Sequence, residues 1–259
     1  MKRKRILVIG DLHCGHLAGL TPPRYQSCDG TLWATSQREA WAWYADRLKQ
    51  YRPFDLVICN GDAIAGKNPK NGGTQLLTSD RREQVKIALE CLKETGAKRF
   101  RLTHGTPYHT GNSEDWEDTL CDNLKGEGYD AEIRDQPFLD VNGVIVNAKH
   151  EMGNSAQKRL RGTPLLSEGL YNDQWEGIQP RADVILRSHV HWFLHAEDGK
   201  RHWVAVPALC TLGDKFGARR CKGTVDFGFV VLDISGEGKV TVHSEKEMLA
   251  SQPVTVETI

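Results

Sequence analysis

A chain of 259 residues with 34 Lys and Arg against 34 Asp and Glu carries no net charge at neutral pH, so no global field draws it to nucleic acid or to an anionic membrane surface. Its length suits one large α/β unit with a sizeable core, and we expect a single domain over residues 1–259. Seven scattered cysteines (Cys14, Cys28, Cys59, Cys91, Cys121, Cys210, Cys221) without a Cys-x-x-Cys pair read as reduced thiols, and the apolar run Ile6 to Ile9 is too short for a signal-peptide core, so a cytoplasmic protein with no membrane partner is expected.

The first element is "RILVIGD", a continuous apolar run closing on Gly10-Asp11, the pattern of a strand buried on both faces that delivers a functional loop. The basic residues ahead of it, Lys2 to Arg5, read as its solvated end. Ser36 and Glu39 have the spacing of a capping box, and Trp41, Tyr44, Ala45 and Leu48 recur at helical intervals, predicting a helix over residues 36–51. "FDLVICNGD" repeats the first pattern and delivers Gly61-Asp62. After a Gly- and Asn-rich loop, "DRREQVKIALECLKETG" predicts a helix capped by Asp80 and Glu83, with Val85, Ala88, Leu89 and Leu92 inward and Gly96 at its end. "KRFRLTHG" supplies a third strand. This alternation argues for a parallel sheet with helices on its faces, whose ligands collect at the carboxyl ends of the strands. From about residue 129 the chain turns to strands with few long helices between them, including hairpin signals in "DVNGVIV" and "DISGEGKV", and a second, largely antiparallel sheet facing the first is expected.

The strand ends carry the chemistry: Asp11 and His13 in "GDLHCGH", Asp62 in "NGDAIAG", His150 in "NAKHEMG", and His189 and His191 in "RSHVHW". Carboxylate and imidazole donors gathered at one sheet edge suit manganese, iron, zinc and related ions. Six donors exceed the three that one catalytic zinc takes while leaving a position open, so two ions are expected.

This ordered set resembles the calcineurin-like metallophosphoesterase superfamily, whose signature runs Asp-x-His, Gly-Asp, Gly-Asn-His with an acid, a lone His, then Gly-His-x-His. The chain shows "DLH", "GD", an altered third block, "KH" and "SHVH" between residues 11 and 191, with Ser188 where the family has Gly. The resemblance implies two facing mixed β-sheets flanked by helices, a four-layer α/β sandwich. It implies one divalent ion on Asp11, His13 and His191, another on His150 and His189, and Asp62 bridging them; manganese is the first choice, with iron, zinc, nickel or magnesium as alternatives.

The third block departs from the family pattern. In one alignment Gly105-Thr106 replaces Gly-Asn and His109, in preference to His104, supplies the imidazole that protonates the leaving group, His104 reading otherwise as a loop residue bonded to backbone; in another, Gly111 to Glu114 is the motif, with Ser113 in the histidine's place. The first fits the position after the third strand and leaves a hydroxyl or water where an amide oxygen is expected, with Thr106, Asn112 or His104 as the occupant of that ligand position. His16 in the first loop reads as a phosphate contact or an exposed loop residue. Arg159 in "QKRLRG" and Arg219 in "DKFGARRCKG" read as contacts to a nucleic-acid backbone or a nucleotide phosphate, or as solvated loop charges. His195, His202 and His243 follow no ligand pattern and read as packing or surface residues. The implied activity is a metal-dependent phosphohydrolase in which activated water attacks a phosphoester, a phosphodiester of nucleic acid or a nucleotide in the first instance. A phosphomonoesterase or protein phosphatase, and a weakly catalytic metal-binding scaffold, are the alternatives.

Overall fold

The computed structural model describes residues 1–69, 72–110, 115–155, 157–211 and 225–249. Six strands form the first sheet in the order β11-β10-β1-β2-β3-β4. Its parallel part is β1 (Lys4–Ile9), β2 (Leu56–Asn60), β3 (Arg99–Thr103) and β4 (Asp130–Ile133). Antiparallel β10 (Phe227–Ile234) and β11 (Val240–Glu247) complete it beside β1. The second sheet has the order β5-β6-β7-β9-β8, from β5 (Phe138–Val141), β6 (Val144–Lys149), β7 (Val184–Arg187), β8 (Leu194–Glu197) and β9 (His202–Ala205).

Side-chain alternation along the strands explains the layering. In β1, Ile6 and Val8 face the second sheet and pack with Ile58, Val146, Leu186, Val204, Val230 and Leu232, whereas Leu7 and Ile9 face the helices. There they meet Tyr44 and Leu48 of α1 (Leu32–Tyr51), Val85 and Leu92 of α2 (Arg81–Glu94), and Leu120 and Leu124 of α4 (Trp116–Gly126). On the outer face of the second sheet, Ile185, Trp203 and Ala205 pack on Leu165 of α5 (Gly162–Gln174). Each fully buried Leu or Ile contributes roughly 2–3 kcal/mol of transfer free energy, and both faces of each sheet are covered, which makes four layers.

Three expectations are corrected. The first helix begins at Leu32, with Thr31 in the cap position; Ser36 lies inside it and donates to Trp33 O at 3.1 Å, so the capping box is not formed. The second sheet is mixed rather than largely antiparallel, because β6, β7 and β9 run parallel, and the β10–β11 hairpin belongs to the first sheet. One 13-residue helix, α5, stands between β6 and β7, in keeping with the few long helices expected there, and makes the crossover that two parallel neighbours require. The second helix follows the sequence reading, with Asp80 accepting from Arg82 N at 2.9 Å. Among the described residues the cysteines are free thiols, and no helix is long and apolar enough to cross a membrane.

Candidate metal centre

The loops after β1, β2, β6 and β7 meet at one edge of the two sheets. Backbone bonds lace them together: Asp11 N donates to Gly61 O, His13 N to Asp62 O, and Ser188 N to His150 O, at 3.0, 3.0 and 2.8 Å. To aim their side chains at one volume, Asp11, His13, Asp62, His189 and His191 adopt left-handed backbone, with φ between 45° and 72°, a conformation that costs an L-residue about 1–2 kcal/mol. Gly61 is left-handed too (φ 79°), and a Cβ there would land against the His150 ring. A Cβ on Gly105 would land on Asp62 Oδ1, so the chain after β3 passes directly over that carboxylate.

Two donor triads that share no residue result, and a third, His13, Asp62 and His109, overlaps both. Asp11, His13 and His191 offer ligand atoms within 4.8 Å of one another, and so do Asp62, His150 and His189. In the first, Asp11 Oδ1 lies 3.1 Å from His191 Nε2, which lies 3.2 Å from His13 Nε2. In the second, His150 Nε2 lies 3.0 Å from Asp62 Oδ2. Asp11 Oδ1 is also 3.9 Å from His150 Nε2, so the triads adjoin. All six sequence-predicted donors are thus brought together. Among the described residues, the buried atoms Asp11 Oδ1, His13 Nδ1 and His150 Nε2 have no aligned hydrogen-bond partner. Asp11 Oδ1 and His150 Nε2 sit at ion-pair distance from His191 Nε2 and Asp62 Oδ2, at 3.1 and 3.0 Å. Buried polar atoms without an aligned partner are costly unless something else satisfies them; a carboxylate and imidazole donor set of this kind fits divalent cations.

The electrostatics divide the cluster between groups held charged and groups held neutral. Burial pushes against ionisation of Asp11, but the His191 and His150 imidazoles outweigh it and hold the carboxyl at about 2. Asp62 is likewise held well below the usual carboxylate range, against its own burial, by His150 and His109. Burial opposes the charge on His150, yet Asp62 and Asp11 push that imidazole up to about 10. Burial, with the charges of His109 and His191, drives His13 the other way, well below its ordinary value. Metal and proton therefore compete for the same atoms.

A buried polar network, unreadable from the motif spacing, fixes the ligands. Asn60 O accepts from His150 Nδ1 at 2.7 Å, which turns Nε2 toward the cluster. The Asn60 side chain donates to Ser188 Oγ (2.8 Å) and Lys149 O (3.1 Å) and accepts from Thr103 Oγ1 (3.0 Å), tying β2, β3, β6 and the loop after β7 together. Glu117, on α4 and buried, accepts from Ala63 N at 2.8 Å and Gly105 N at 2.6 Å, joining the residue after Asp62 to the segment after β3. Only the polar break that Asn60 makes in an apolar run signals this network in the sequence; Glu117 leaves no signal.

Of the third block, Gly105 to Thr110 are described, whereas Gly111 to Glu114, the alternative motif, lie outside the described residues. Thr106 donates to Asp62 Oδ1 from both its backbone N–H (2.7 Å) and its hydroxyl (3.2 Å). His109, on the short helix α3 (Pro107–Thr110), donates from Nδ1 to Ala65 O at 2.9 Å, and its Nε2 faces Asp62 Oδ2 at 3.9 Å. Its ring lies 4.3 Å from that of His13, centroid to centroid. His104 points elsewhere, between Asp135 (2.8 Å) and Asp118 (3.3 Å), which raise its pKa despite burial. His16 is buried rather than exposed, and its Nδ1 accepts from Ala18 N at 3.0 Å. Arg159 is exposed and donates to Gln157 at 3.3 Å. Arg219 and Asn112 lie outside the described residues.

No family model and no curated protein matches the chain. Among solved structures, Vps29 of Entamoeba histolytica complexed with zinc is 13% identical, covering 93% of this chain and 98% of that one at a TM-score of 0.45. A structure described as a novel archaeal phosphodiesterase is 13% identical, with 93% and 99% covered and a TM-score of 0.46. A predicted phosphoesterase of Streptococcus pneumoniae is 12% identical, with 95% and 99% covered and a TM-score of 0.40. Likeness at this level assigns neither ligand nor activity. It is the chain's own ordered set, Asp11-x-His13, Gly61-Asp62, His150 and His189-x-His191, gathered at one edge of two facing mixed sheets, that carries its resemblance to the calcineurin-like metallophosphoesterase superfamily.

Proposed function

We propose that this protein is a dinuclear-metal phosphohydrolase, acting on a phosphodiester of nucleic acid or of a nucleotide. One observation carries the reading: two adjoining acid and imidazole triads in which buried Asp11 Oδ1 and His150 Nε2 have no aligned hydrogen-bond partner among the described residues. Asp11, His13 and His191 would hold one ion and His150 and His189 the other, with Asp62 between the two sets; manganese is the proposed metal. Bound divalent ions supply Lewis acidity toward the phosphoryl oxygens and a water that is nucleophilic at neutral pH. The remaining work falls to the chain. Asn60 O, by engaging His150 Nδ1, presents the opposite nitrogen to the cluster. His109 is anchored through Nδ1 on Ala65 O, so Nε2 is the atom that exchanges a proton with a leaving group. Thr106 positions the Asp62 carboxylate with two donated bonds instead of standing in for the family's amide ligand.

That last substitution favours a second reading, a metal-binding scaffold with weak catalysis, since one expected ligand is replaced by a group already engaged with Asp62. Metal-stripped protein reloaded with manganese separates the readings through initial rates on an aryl phosphodiester and the matching monoester, with Asp62→Asn as control. Metal-dependent turnover lost in the variant supports the hydrolase, and the rate ratio chooses diester or monoester. Stoichiometric metal without turnover on either supports the scaffold.

A further inference from the structure

The hairpin β8–β9 carries a second set of metal donors that share no residue with the strand-end cluster. In its register Glu197 stands opposite His202, and His195 opposite Val204, so all three side chains lie on the face through which Val204 packs between the sheets. His195 Nε2 lies 3.1 Å from His202 Nδ1, and Glu197 Oε2 lies 3.3 Å from His202 Nδ1 and 3.8 Å from His195 Nε2. Ligands about 2.0–2.2 Å from one tetrahedral zinc stand roughly 3.3–3.5 Å apart. The three atoms thus already form close to one face of such a tetrahedron.

We propose that His195, His202 and Glu197 form a transition-metal site for a zinc-class divalent ion, distinct from the strand-end cluster and with its fourth position open to solvent. Two imidazole nitrogens and one carboxylate oxygen suit zinc, cobalt or nickel better than magnesium or calcium. The hairpin is set before any ion arrives: Asp198 Oδ1 accepts from Lys200 N and Arg201 N at 3.0 and 2.9 Å. Buried Arg201 is held in turn by Ala182 O at 2.8 Å and by the Asp173 carboxylate at 2.6 and 3.0 Å. The Glu197 side chain, 59% exposed, is free to close the small remaining distance. Because β8 is an edge strand paired only with β9, an ion here would pin that edge.

The test is cobalt binding by the metal-free full chain, read as bound equivalents after gel filtration and as the visible absorption of low-coordinate cobalt. We expect His202→Ala to lose one equivalent, and Asp62→Asn/His202→Ala to lose one equivalent relative to Asp62→Asn alone. Glu197→Gln should weaken the same site at least tenfold while leaving the fold, by circular dichroism, unchanged. His195→Gln, a partly exposed position, repeats the measurement should His202→Ala fail to fold. Equal equivalents in the parent and in a folded His195 or His202 variant, or cobalt retained only at millimolar concentration, overturns the proposal. The outcome is independent of phosphohydrolase activity.

Discussion

The backbone N–H of His189 donates to Asp11 Oδ2 at 3.0 Å, while the other oxygen of the same carboxylate lies 3.1 Å from His191 Nε2. One side chain therefore braces the loop after β7 and also faces the donor cluster. Asp11→Asn keeps an oxygen for the His189 N–H but replaces the charge that the imidazoles surround. We expect loss of the ion held by Asp11, His13 and His191, a fall in metal-dependent turnover of at least roughly a hundredfold, and a folded protein; elemental analysis beside circular dichroism checks this.

Asn60 is fully buried and its amide serves three partners in three different chain segments. Asn60→Ala strands the Thr103 hydroxyl and Lys149 O and opens a cavity, which should cost about 2–4 kcal/mol. For a chain of this size that corresponds to a drop in thermal midpoint of roughly 5–15 °C. A shift under 2 °C would show that water replaces the amide without loss.

His109 reaches the cleft through Nε2 alone, because Nδ1 is committed to Ala65 O. If it protonates the leaving group, His109→Gln should slow esters of poor leaving groups by roughly a hundredfold or more and leave good aryl leaving groups far less affected. Equal losses on both would move His109 from proton donor to a merely positioning role.

Burial and the nearby Asp62 hold the Glu117 carboxyl at about 7, against 4.5 for an ordinary glutamate. Between those values the folded, metal-free protein keeps a proton that the unfolded chain has released, so this group lowers stability progressively as pH rises through the window and no further above it. The whole effect is about 3 kcal/mol. Thermal midpoints of metal-free protein should therefore carry a downward slope from Glu117 between pH 4.5 and 7, and Glu117→Gln should remove it.

How far the sequence could be read depended on whether a feature is local. Asp11, Asp62, His150 and His189 each stand just beyond a short apolar run, so strand end and donor appear together within a few residues. The clamps on those donors are not local: Asn60 meets Ser188 across 128 positions and Glu117 meets Ala63 across 54, and no periodicity reports such pairs. The misplaced hairpin has a similar cause. "FGFVVLDI" is buried along its whole length, and hydrophobicity alone cannot say which of two facing sheets will claim a strand covered on both sides. Likewise α5 exposes Leu166, Leu170 and Tyr171, so its apolar residues trace no single stripe.

The left-handed backbone at Asp11, His13, Asp62, His189 and His191 sets two kinds of selection against each other. Glycine at any of these five positions would relax the chain by about 1 kcal/mol while deleting a donor. A library sorted for heat resistance alone should therefore drift toward glycine there and drain the centre of its ligands, and one sorted also for bound metal should hold all five and find its gains elsewhere. Deep sequencing of the two survivor pools would show whether rigidity and chemistry diverge at the same five codons.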